Sequence, residues 1–439
     1  MVLAEQYPAD GAEYRLEVGR SHGWVVADEG QPSLPDPLRS CSVDAPSRSP
    51  VLQSRGQAHL PLSAPPLPEA HGGNRQAVAR RLGCRPDQLL DASASLVPFG
   101  PPPALLRSLR RSGALAALRD YPDRSYRELR EAIAALHGLD PAWVLPGNGA
   151  AELFTWAARD AAAAGVSLLP APGFADYGRA LACWGAPARP LPLSLPWSDA
   201  FPSPFPAPDP PLAGDGASVL WLTNPHNPTG QLWSRASLEP LLDRFALVIA
   251  DEAFLPLLRG GESQSLIPLL AACPGLVVIR SLTKLLGIAG LRLGYALGAP
   301  WRLERWASWR DPWPVNGLAA LAGASLLADR AALARWQGRV QRWLAREGPW
   351  LAGELAGLGG LRPLPSAANF LLVRGEREGK PQSLEPLRLA LERRHRVLVR
   401  DCRSFERLGP HWLRLAVLDR RGNRRLLEAF RAETGSPGR

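Results

Sequence analysis

Lysine is almost absent from this chain. Of its 439 residues 51 are basic, but only two of these are lysines, Lys284 and Lys380, and the other 49 are arginines. The arginines are spread along the chain, and no recognition helix or basic segment with interleaved aromatics is present. The net charge of +10 therefore does not predict a nucleic-acid partner. So much arginine, with abundant alanine, proline, glycine and leucine, is typical of a GC-rich genome.

Cysteines are few, and long apolar runs are missing. No two of the five cysteines have C-x-x-C spacing, which excludes a zinc ribbon or a disulfide framework and favours a reducing cytoplasm. We expect no metal site. No apolar run reaches the ~18–20 residues of a membrane span, and the N-terminus lacks the basic and apolar segments of a signal peptide. We therefore expect a cytoplasmic protein without a membrane partner.

The remaining composition is that of a globular protein, with 46% apolar and 21% charged residues. Strand-like and helix-like segments alternate after residue 138, which predicts an α/β fold. The apolar runs SVLWLTNP, FALVIADEAF, GLVVIRSLTK and RLGYALG are typical of buried strands in a parallel sheet. A proline-rich stretch, Pro190 to Pro211, is predicted to be a connecting loop. Long helical patterns follow Trp313, and then strands and a last helix, which indicates an α+β domain.

These patterns predict four segments. Residues 1–68 form an irregular extension rich in proline and serine. Residues 69–110 form an N-terminal arm that joins the small domain. Residues 111–310 form a large domain, whose mostly parallel sheet is flanked by helices. Residues 311–439 form a smaller α+β domain.

Lys284 is the first candidate for chemistry. It directly follows an apolar strand-like run, whereas Lys380 lies in a polar loop. In a chain whose cations are almost all arginine, a retained lysine indicates a need for an amine. Arginine stays protonated and cannot form an imine, but a lysine with a lowered pKa can.

Three further clusters lie at the ends of predicted strands, where open α/β sheets bind ligands. The segment GNGAAE opens a helix, a place where backbone amides can bind an anion, although glycine turns before helices are common. The segment NPHNPTG presents amide side chains in a defined direction. Asp251 could cap a helix or hold a cationic ring nitrogen, and Ser281 and Arg292 add a hydroxyl and an anion-binding fork. Together with Lys284 this set describes a site for pyridoxal phosphate.

With these motifs, the chain from Glu69 onwards resembles the fold-type-I aminotransferase superfamily. The resemblance implies that Lys284 forms the imine with pyridoxal phosphate and that Asp251 pairs with its ring nitrogen. It implies that Asn227 bonds the ring hydroxyl and that Phe174 stacks on the ring. The cofactor phosphate would be held by Gly149, Ala150, Ser281 and Arg292.

The resemblance also implies substrate contacts and a partner. Arg414, in HWLRLAV, matches the arginine that binds a substrate α-carboxylate. Arg400 and His71 are candidates for a second, distal phosphate, although His71 could equally cap a turn and Arg400 could be a surface charge. Tyr121 matches a tyrosine that reaches the cofactor phosphate of a neighbouring subunit. A homodimer with a shared active site is therefore expected, acting on a small phosphorylated amino acid.

Two branches of the superfamily compete, the threonine-phosphate decarboxylases of cobalamin synthesis and the histidinol-phosphate aminotransferases. The motif HGGN, the strap DASASLVPFGPPP and Phe254, where the second branch has tyrosine, resemble the first branch. Ser95 and Val97, where that branch has asparagines, and His226 depart from its pattern.

We therefore expect decarboxylation of L-threonine O-3-phosphate, with an aminotransferase of the histidinol-phosphate type as the alternative. A transaminase aligns the Cα–H bond perpendicular to the cofactor ring, whereas a decarboxylase aligns the Cα–carboxylate bond. A transcription regulator with an aminotransferase-like domain is disfavoured, because residues 1–68 are too short and proline-rich for a winged helix-turn-helix. A catalytically dead scaffold is disfavoured because the cofactor-binding set is complete.

Overall fold

A computed structural model describes residues 71–195, 197–206 and 217–435. All of these belong to a single compact unit, Pro65–Arg439. The extension expected over residues 1–68 lies outside the described residues.

The described residues form thirteen strands arranged in two sheets. In chain order they are β1 (Leu90–Ala92), β2 (Val144–Asn148), β3 (Val166–Ala171), β4 (Ala188–Pro192), β5 (Ala217–Thr223), β6 (Leu247–Asp251), β7 (Leu276–Ser281), β8 (Leu293–Gly298), β9 (Leu361–Pro363), β10 (Phe370–Arg377), β11 (Lys380–Pro381), β12 (Val397–Asp401) and β13 (Trp412–Ala416).

The larger sheet has seven strands in the order β2-β8-β7-β6-β5-β3-β4. All pairs from β4 across to β7 are parallel, and β8 runs antiparallel to both β7 and β2. Every residue of β6 and β7 is buried, as expected for aliphatic strands covered on both faces. The expected mostly parallel α/β sheet is confirmed, but the run RLGYALG was wrongly grouped with the parallel strands. Burial and an apolar sequence do not encode strand direction.

The predicted loop from Pro190 is also wrong at its start. Pro190 and Pro192 lie in β4 and pair in parallel with Leu169 and Ala171 of β3. The strand lies at the edge of the sheet, where a proline needs no partner on its outer side. Proline content alone therefore did not distinguish an edge strand from a loop.

Helices flank the sheets, and there are thirteen α-helices in the described part of the chain. They are α1 (Arg75–Arg81), α2 (Pro103–Ser108), α3 (Gly113–Arg119), α4 (Arg127–His137), α5 (Gly149–Ala164), α6 (Ala175–Ala182), α7 (Arg235–Leu242), α8 (Leu282–Leu286), α9 (Pro300–Trp309), α10 (Gly317–Ala328), α11 (Arg330–Ala356), α12 (Glu385–His395) and α13 (Arg420–Thr434).

The helix ends have local causes. Helix α4 ends at Gly138, which adopts the left-handed conformation with φ 68° and was predicted to stop it. The side chains of Asn316 and Asp329 accept hydrogen bonds from the first turns of α10 and α11. No single described helix has the length and hydropathy to cross a membrane; α10 and α11 meet that test only when joined, and they are bent by 92°.

The smaller sheet has six strands. Its first strand, β1, comes before all the strands of the larger sheet in the chain. Its order is β1-β12-β13-β10-β11, with β9 also paired to β10. The β1–β12 pair is parallel and the others are antiparallel. Residues 90–92, in the predicted arm, thus pair with the C-terminal sheet. The domain limits at residues 110 and 310 stay predictions.

Candidate active site

A cavity of about 340 Å³ lies at the carboxyl ends of the parallel strands. Strands β6 and β7 end at its wall with Asp251 and Ser281, and the smaller sheet contributes residues of β12 and β13. Ten residues singled out from the sequence line it: His71, Ala150, Phe174, Asn227, Asp251, Ser281, Lys284, Arg292, Arg400 and Arg414.

Lys284 supplies an amine to this cavity from the short helix α8, which follows β7 directly. Burial, together with the positive charges of Arg414 and Arg292, lowers the pKa of Lys284 to about 8, against the opposing effect of Asp251. The Nζ atom lies 5.6 Å from the centre of the Phe254 ring. A neutral, nucleophilic amine is therefore populated near neutral pH.

Asp251 supplies a buried carboxylate. Its Oδ1 accepts a hydrogen bond from the backbone N–H of Ala253 at 3.0 Å, and its Oδ2 accepts one from the Tyr177 hydroxyl at 2.7 Å. Burial raises the pKa of Asp251 to about 6, and these two hydrogen bonds and the charge of Lys284 act against that rise. The neighbouring Glu252 faces away from the cavity and pairs with Arg280 at 2.6 Å.

The N-terminus of α5 forms an anion-binding end of the cavity. Gly149 begins the helix with φ 72°, a left-handed conformation that favours glycine. A Cβ at Gly149 would lie 2.5 Å from a terminal nitrogen of Arg292, so the absent side chain leaves room for that guanidinium. Helix N-termini and arginine both favour phosphate. Ser281 adds a hydroxyl from the end of β7.

The NPHNPTG segment forms a tightly bonded turn after β5. The amide of Asn224 exchanges hydrogen bonds of 3.0 and 2.9 Å with the backbone of Trp233. His226 bonds Thr229 at 2.7 Å, and burial lowers its pKa to about 3, so its ring is neutral. Asn227 reaches the cavity, where its Oδ1 accepts a hydrogen bond from Arg414.

Arg400 and Arg414 form a pair of buried guanidinium groups on the opposite wall. They are directly opposed residues of the antiparallel strands β12 and β13. Their guanidinium carbons lie 4.9 and 5.7 Å from the centre of the Phe405 ring. Arg400 donates to the Ser404 hydroxyl at 2.6 Å. Burial lowers the pKa of Arg414 to about 10, and the charge of Arg400 adds to this effect. Two adjacent cations thus line the cavity, where they can bind anionic groups of a ligand.

His71 and Phe174 lie next to each other at the mouth of the cavity, with ring centres 5.7 Å apart. Phe174 immediately precedes α6. Partial burial lowers the pKa of His71, and nearby Asp176 opposes this change. Both residues line the cavity.

Two predicted cofactor residues do not line the cavity. Gly149 lies just behind its wall at the start of α5. Tyr121 is 78% exposed and stacks on Trp313, with ring centres 4.3 Å apart. Its expected role at the site of a neighbouring subunit stays a prediction.

Sequence reasoning missed several groups of the site. Tyr177 and Thr223 are bonded to each other at 2.7 Å beside Asp251, and Phe405 lies beneath the two arginines. Thr283 and Ser95, the latter noted from the sequence only as a departure from the family pattern, line the cavity with buried hydroxyls that have no hydrogen-bond partner among the described residues. Tyr177 lies three residues after Phe174, a helical spacing that could have identified it.

These residues fit pyridoxal phosphate. Lys284 offers the amine for an imine, and Asp251 is a buried carboxylate to which no arginine of the described residues is bonded. Gly149 and Arg292 form the cradle that a phosphate would enter, and Phe174 offers an aromatic face. The Thr283 hydroxyl, next to the lysine, adds a donor that no group in the described part of the chain uses.

Comparisons with known proteins agree with this geometry. The family model for aminotransferase class I and II matches residues 88–430. A threonine-phosphate decarboxylase of Salmonella typhimurium is 37% identical over 82% of this chain and 96% of its own. A histidinol-phosphate aminotransferase of Symbiobacterium thermophilum is 34% identical over 84% of this chain and 96% of its own.

A solved structure extends the agreement to the fold. The histidinol-phosphate aminotransferase of Sinorhizobium meliloti, in complex with pyridoxal-5'-phosphate, superposes with a TM-score of 0.69 at 22% identity. The match covers 84% of this chain and 96% of that one. The chain therefore belongs to the aminotransferase class I and II family, with the fold-type-I architecture and pyridoxal phosphate as its cofactor.

Proposed function

We propose that the chain decarboxylates L-threonine O-3-phosphate to (R)-1-amino-2-propanol O-2-phosphate in the cytoplasm, as a step of cobalamin synthesis. The observation that carries the proposal is the adjacent pair of Arg400 and Arg414. Directly opposed residues of antiparallel strands have Cβ atoms roughly 5 Å apart, so their side chains present two cations side by side.

The spacing of these charges suits a small substrate with two anionic groups. In L-threonine O-3-phosphate the carboxylate and the phosphate are on neighbouring carbon atoms. Arg414, nearer the cofactor-facing Asn227, is suited to the carboxylate, and Arg400 to the phosphate. Histidinol phosphate has one anionic group and an imidazole, so it matches this pair of charges less well than a substrate with two adjacent anionic groups.

Other features support the same assignment. Phe254 places an apolar ring near Lys284, where a tyrosine would offer a hydroxyl. Two proteins named as threonine-phosphate decarboxylases, one of them putative, are 37% and 31% identical to this chain. The four described cysteines are free, in keeping with a reducing cytoplasm.

The chemistry divides between cofactor and protein. Pyridoxal phosphate, when bound, supplies the electron sink for the bond that breaks. The arginine pair orients the substrate so that the Cα–carboxylate bond is the one cleaved. Carbon dioxide leaves, its bonding electron pair stays on Cα, and a proton adds there. Lys284, whose lowered pKa allows both protonation states near neutral pH, is placed to deliver that proton.

An aminotransferase is the second candidate, because the 34% identical relative is named as one. A pair of arginines would also bind a dicarboxylate such as glutamate. In that case the same Lys284 would move the Cα proton, and no carbon dioxide would be formed.

A paired product assay tests the proposal. One sample of the cofactor-loaded protein receives L-threonine O-3-phosphate alone, and the other receives histidinol phosphate with 2-oxoglutarate. We expect carbon dioxide and aminopropanol phosphate in the first sample, and much slower release from unphosphorylated L-threonine. Glutamate formed only in the second sample would show that the chain is an aminotransferase.

We also propose that two copies associate through the face that carries Tyr121. Leu115 and Leu118 of α3 are 73% and 67% exposed beside it, an apolar surface that a second copy would cover. Sedimentation at micromolar concentration tests this. We expect a dimer for the native chain and a monomer for Leu118→Asp, and a monomeric native chain would contradict the proposal.

A further inference from the structure

The hydroxyl of Tyr177 is buried next to Asp251, a carboxylate of the cofactor site. We propose that Tyr177 is a positioning residue, whose hydroxyl, oriented by Thr223, holds the Asp251 carboxylate ionised and aimed at the ring nitrogen of pyridoxal phosphate. This role applies to any bond the enzyme cleaves, so it does not depend on the choice between decarboxylase and aminotransferase.

Hydrogen-bond geometry gives the chain of donors a direction. The Tyr177 oxygen lies 2.7 Å from Oδ2 of Asp251 and 2.7 Å from Oγ1 of Thr223. A phenol has one proton, and a carboxylate can only accept it. Thr223 must therefore donate to Tyr177, which in turn donates to Asp251. Consecutive bonds of this kind polarise and strengthen each other in a buried site.

The fold brings these three groups together from separate elements. Thr223 and Asp251 are register partners at the ends of the parallel strands β5 and β6. Tyr177 belongs to α6 and lies three residues after Phe174, so the two rings share a side of the helix start. The same helix thus supplies the ring beside the cofactor and the hydroxyl behind its acid.

The other Asp251 oxygen, Oδ1, is bonded to the Ala253 backbone N–H. Each carboxylate oxygen can accept more than one hydrogen bond, so the carboxylate retains capacity for a ring N–H. Its two protein donors fix its orientation, because rotation about the side chain would break both bonds.

Burial weakens the preference of Asp251 for its ionised form. Burial raises its pKa to about 6, although the Tyr177 donation, the Ala253 amide and the charge of Lys284 all lower it. Glu252 raises it, but that carboxylate is paired with Arg280. Without the Tyr177 hydroxyl the pKa of Asp251 would rise further, because one of the groups that lower it would be lost. A protonated ring nitrogen makes the cofactor an effective electron sink. A neutral Asp251 would no longer stabilise that protonated nitrogen.

The direct test is Tyr177→Phe, which keeps the ring and its packing against Phe154 and Trp221. We expect the dissociation constant for pyridoxal phosphate, measured by tryptophan fluorescence of the apoprotein, to rise about 10- to 100-fold, as for loss of one hydrogen bond to a charged group. We expect kcat to fall by a similar factor while KM changes little, because the hydroxyl acts through the cofactor.

Tyr295→Phe is the matched control. Tyr295 is also 3% exposed and would lose its side-chain hydrogen bond to His137, whereas Tyr177→Phe loses the bonds to Asp251 and Thr223; Tyr295 lies outside the cofactor cavity. We expect it to change stability without changing the cofactor dissociation constant or kcat. An equal loss of cofactor affinity in both variants would overturn the proposal, because it would indicate a general effect on folding.

A second comparison uses Asp251→Asn as the background. There the Tyr177 hydroxyl has no carboxylate to stabilise, so adding Tyr177→Phe should change the cofactor dissociation constant less than about twofold. Equal effects in the native and Asp251→Asn backgrounds would contradict the proposal. Should Tyr177→Phe fail to fold, Thr223→Val serves instead, with a smaller loss expected in the same direction and no loss overturning the role.

Discussion

Gly294 of β8 lies directly against the backbone of Ala150 at the start of α5. A Cβ at position 294 would lie 2.9 Å from the Ala150 amide nitrogen and 2.8 Å from the Arg280 carbonyl oxygen. Both neighbours are backbone atoms that cannot rotate away. The lack of a side chain at position 294 therefore allows the N-terminus of α5 to lie close to β8. This contact is next to the expected site of the cofactor phosphate.

We predict that Gly294→Ala displaces the start of α5. The clash is of the overpacking kind, which costs about 1–3 kcal/mol of unfolding free energy. Because the displaced backbone is the one expected to bind the cofactor phosphate, the affinity for pyridoxal phosphate should fall about tenfold or more. Denaturant unfolding and cofactor titration measure the two effects. Gly298→Ala on the same strand is the control, since its Cβ would meet Val277 at an ordinary 3.5 Å. Equal behaviour of the two variants would show that the close approach is unimportant.

Replacement of Lys284 should abolish covalent cofactor attachment. Lys284→Ala is expected to lose the visible absorbance of the lysine imine, whereas Lys380→Ala, changed at an exposed position of β11, should keep it. Spectra after removal of free cofactor decide this. A retained band in Lys284→Ala would mean that another group holds the cofactor.

The lowered pKa of Lys284 predicts how the apoprotein takes up its cofactor. The neutral amine is the nucleophile, and its population rises with pH until the pKa of about 8 is passed. The rate of imine formation with added pyridoxal phosphate should therefore increase from pH 6 to about 8 and level off above. A rate that continues to rise to pH 10 would contradict the lowered pKa.

Asp251 should destabilise the apoprotein. Its pKa is raised from 3.8 to about 6 in the folded chain, so folding favours the protonated acid. Stability is therefore lost as pH rises from about 4 through 6, and the loss is complete near pH 7. We predict that Asp251→Asn stabilises the apoprotein at pH 7 by about 1–3 kcal/mol, while cofactor affinity falls. Melting temperatures between pH 4 and 8 should show the gain growing with pH.

Asp160 is the matched control for this effect. Both carboxylates are 5% exposed, but Asp160 is bonded to Arg302 and Arg305. Asp160→Asn leaves the buried Arg302 without its anion and should therefore destabilise the chain. If both variants are destabilised, burial of the Asp251 charge does not destabilise the apoprotein.

Arg400 should determine recognition of the substrate phosphate. Loss of a buried charge partner costs about 2–5 kcal/mol, so Arg400→Met should lower kcat/KM for L-threonine O-3-phosphate about 30-fold or more. Arg403→Met is the control, because Arg403 pairs with Asp401 and Glu385 outside the cofactor cavity. Steady-state kinetics compare them. Similar losses in both variants would move the phosphate site away from Arg400.

Much of the fold could be predicted from residue patterns. The apolar runs identified β5, β6 and β7, and glycine at position 138 identified the end of α4. The direction of β8 could not be predicted, because a buried strand has the same composition in either direction. Strand β4 was mistaken for a loop, because its prolines are tolerated only through its edge position, which is a property of the assembled sheet.

The site was predictable where chemistry requires a rare residue. A lone lysine after an apolar strand identified Lys284, and a carboxylate at a strand end identified Asp251. The resemblance to a family supplied Arg400 and Arg414, whose direct opposition depends on the register of β12 and β13. Tyr177 and Phe405 were missed, because aromatic residues in an apolar sequence are more often core, and only the folded chain shows what their rings and hydroxyls contact.

The two sheets contribute different groups to the cavity. Strands β6 and β7 and helices α5 and α8 supply the groups expected to bind the cofactor, and β12 and β13 supply the arginines proposed to bind the substrate. Substitution of Arg400 on β12 should thus alter substrate choice more than cofactor chemistry, whereas Arg414 on β13 bonds Asn227 and lowers the pKa of Lys284, so its substitution should affect both. This arrangement makes β12 the first segment to exchange when engineering new specificity.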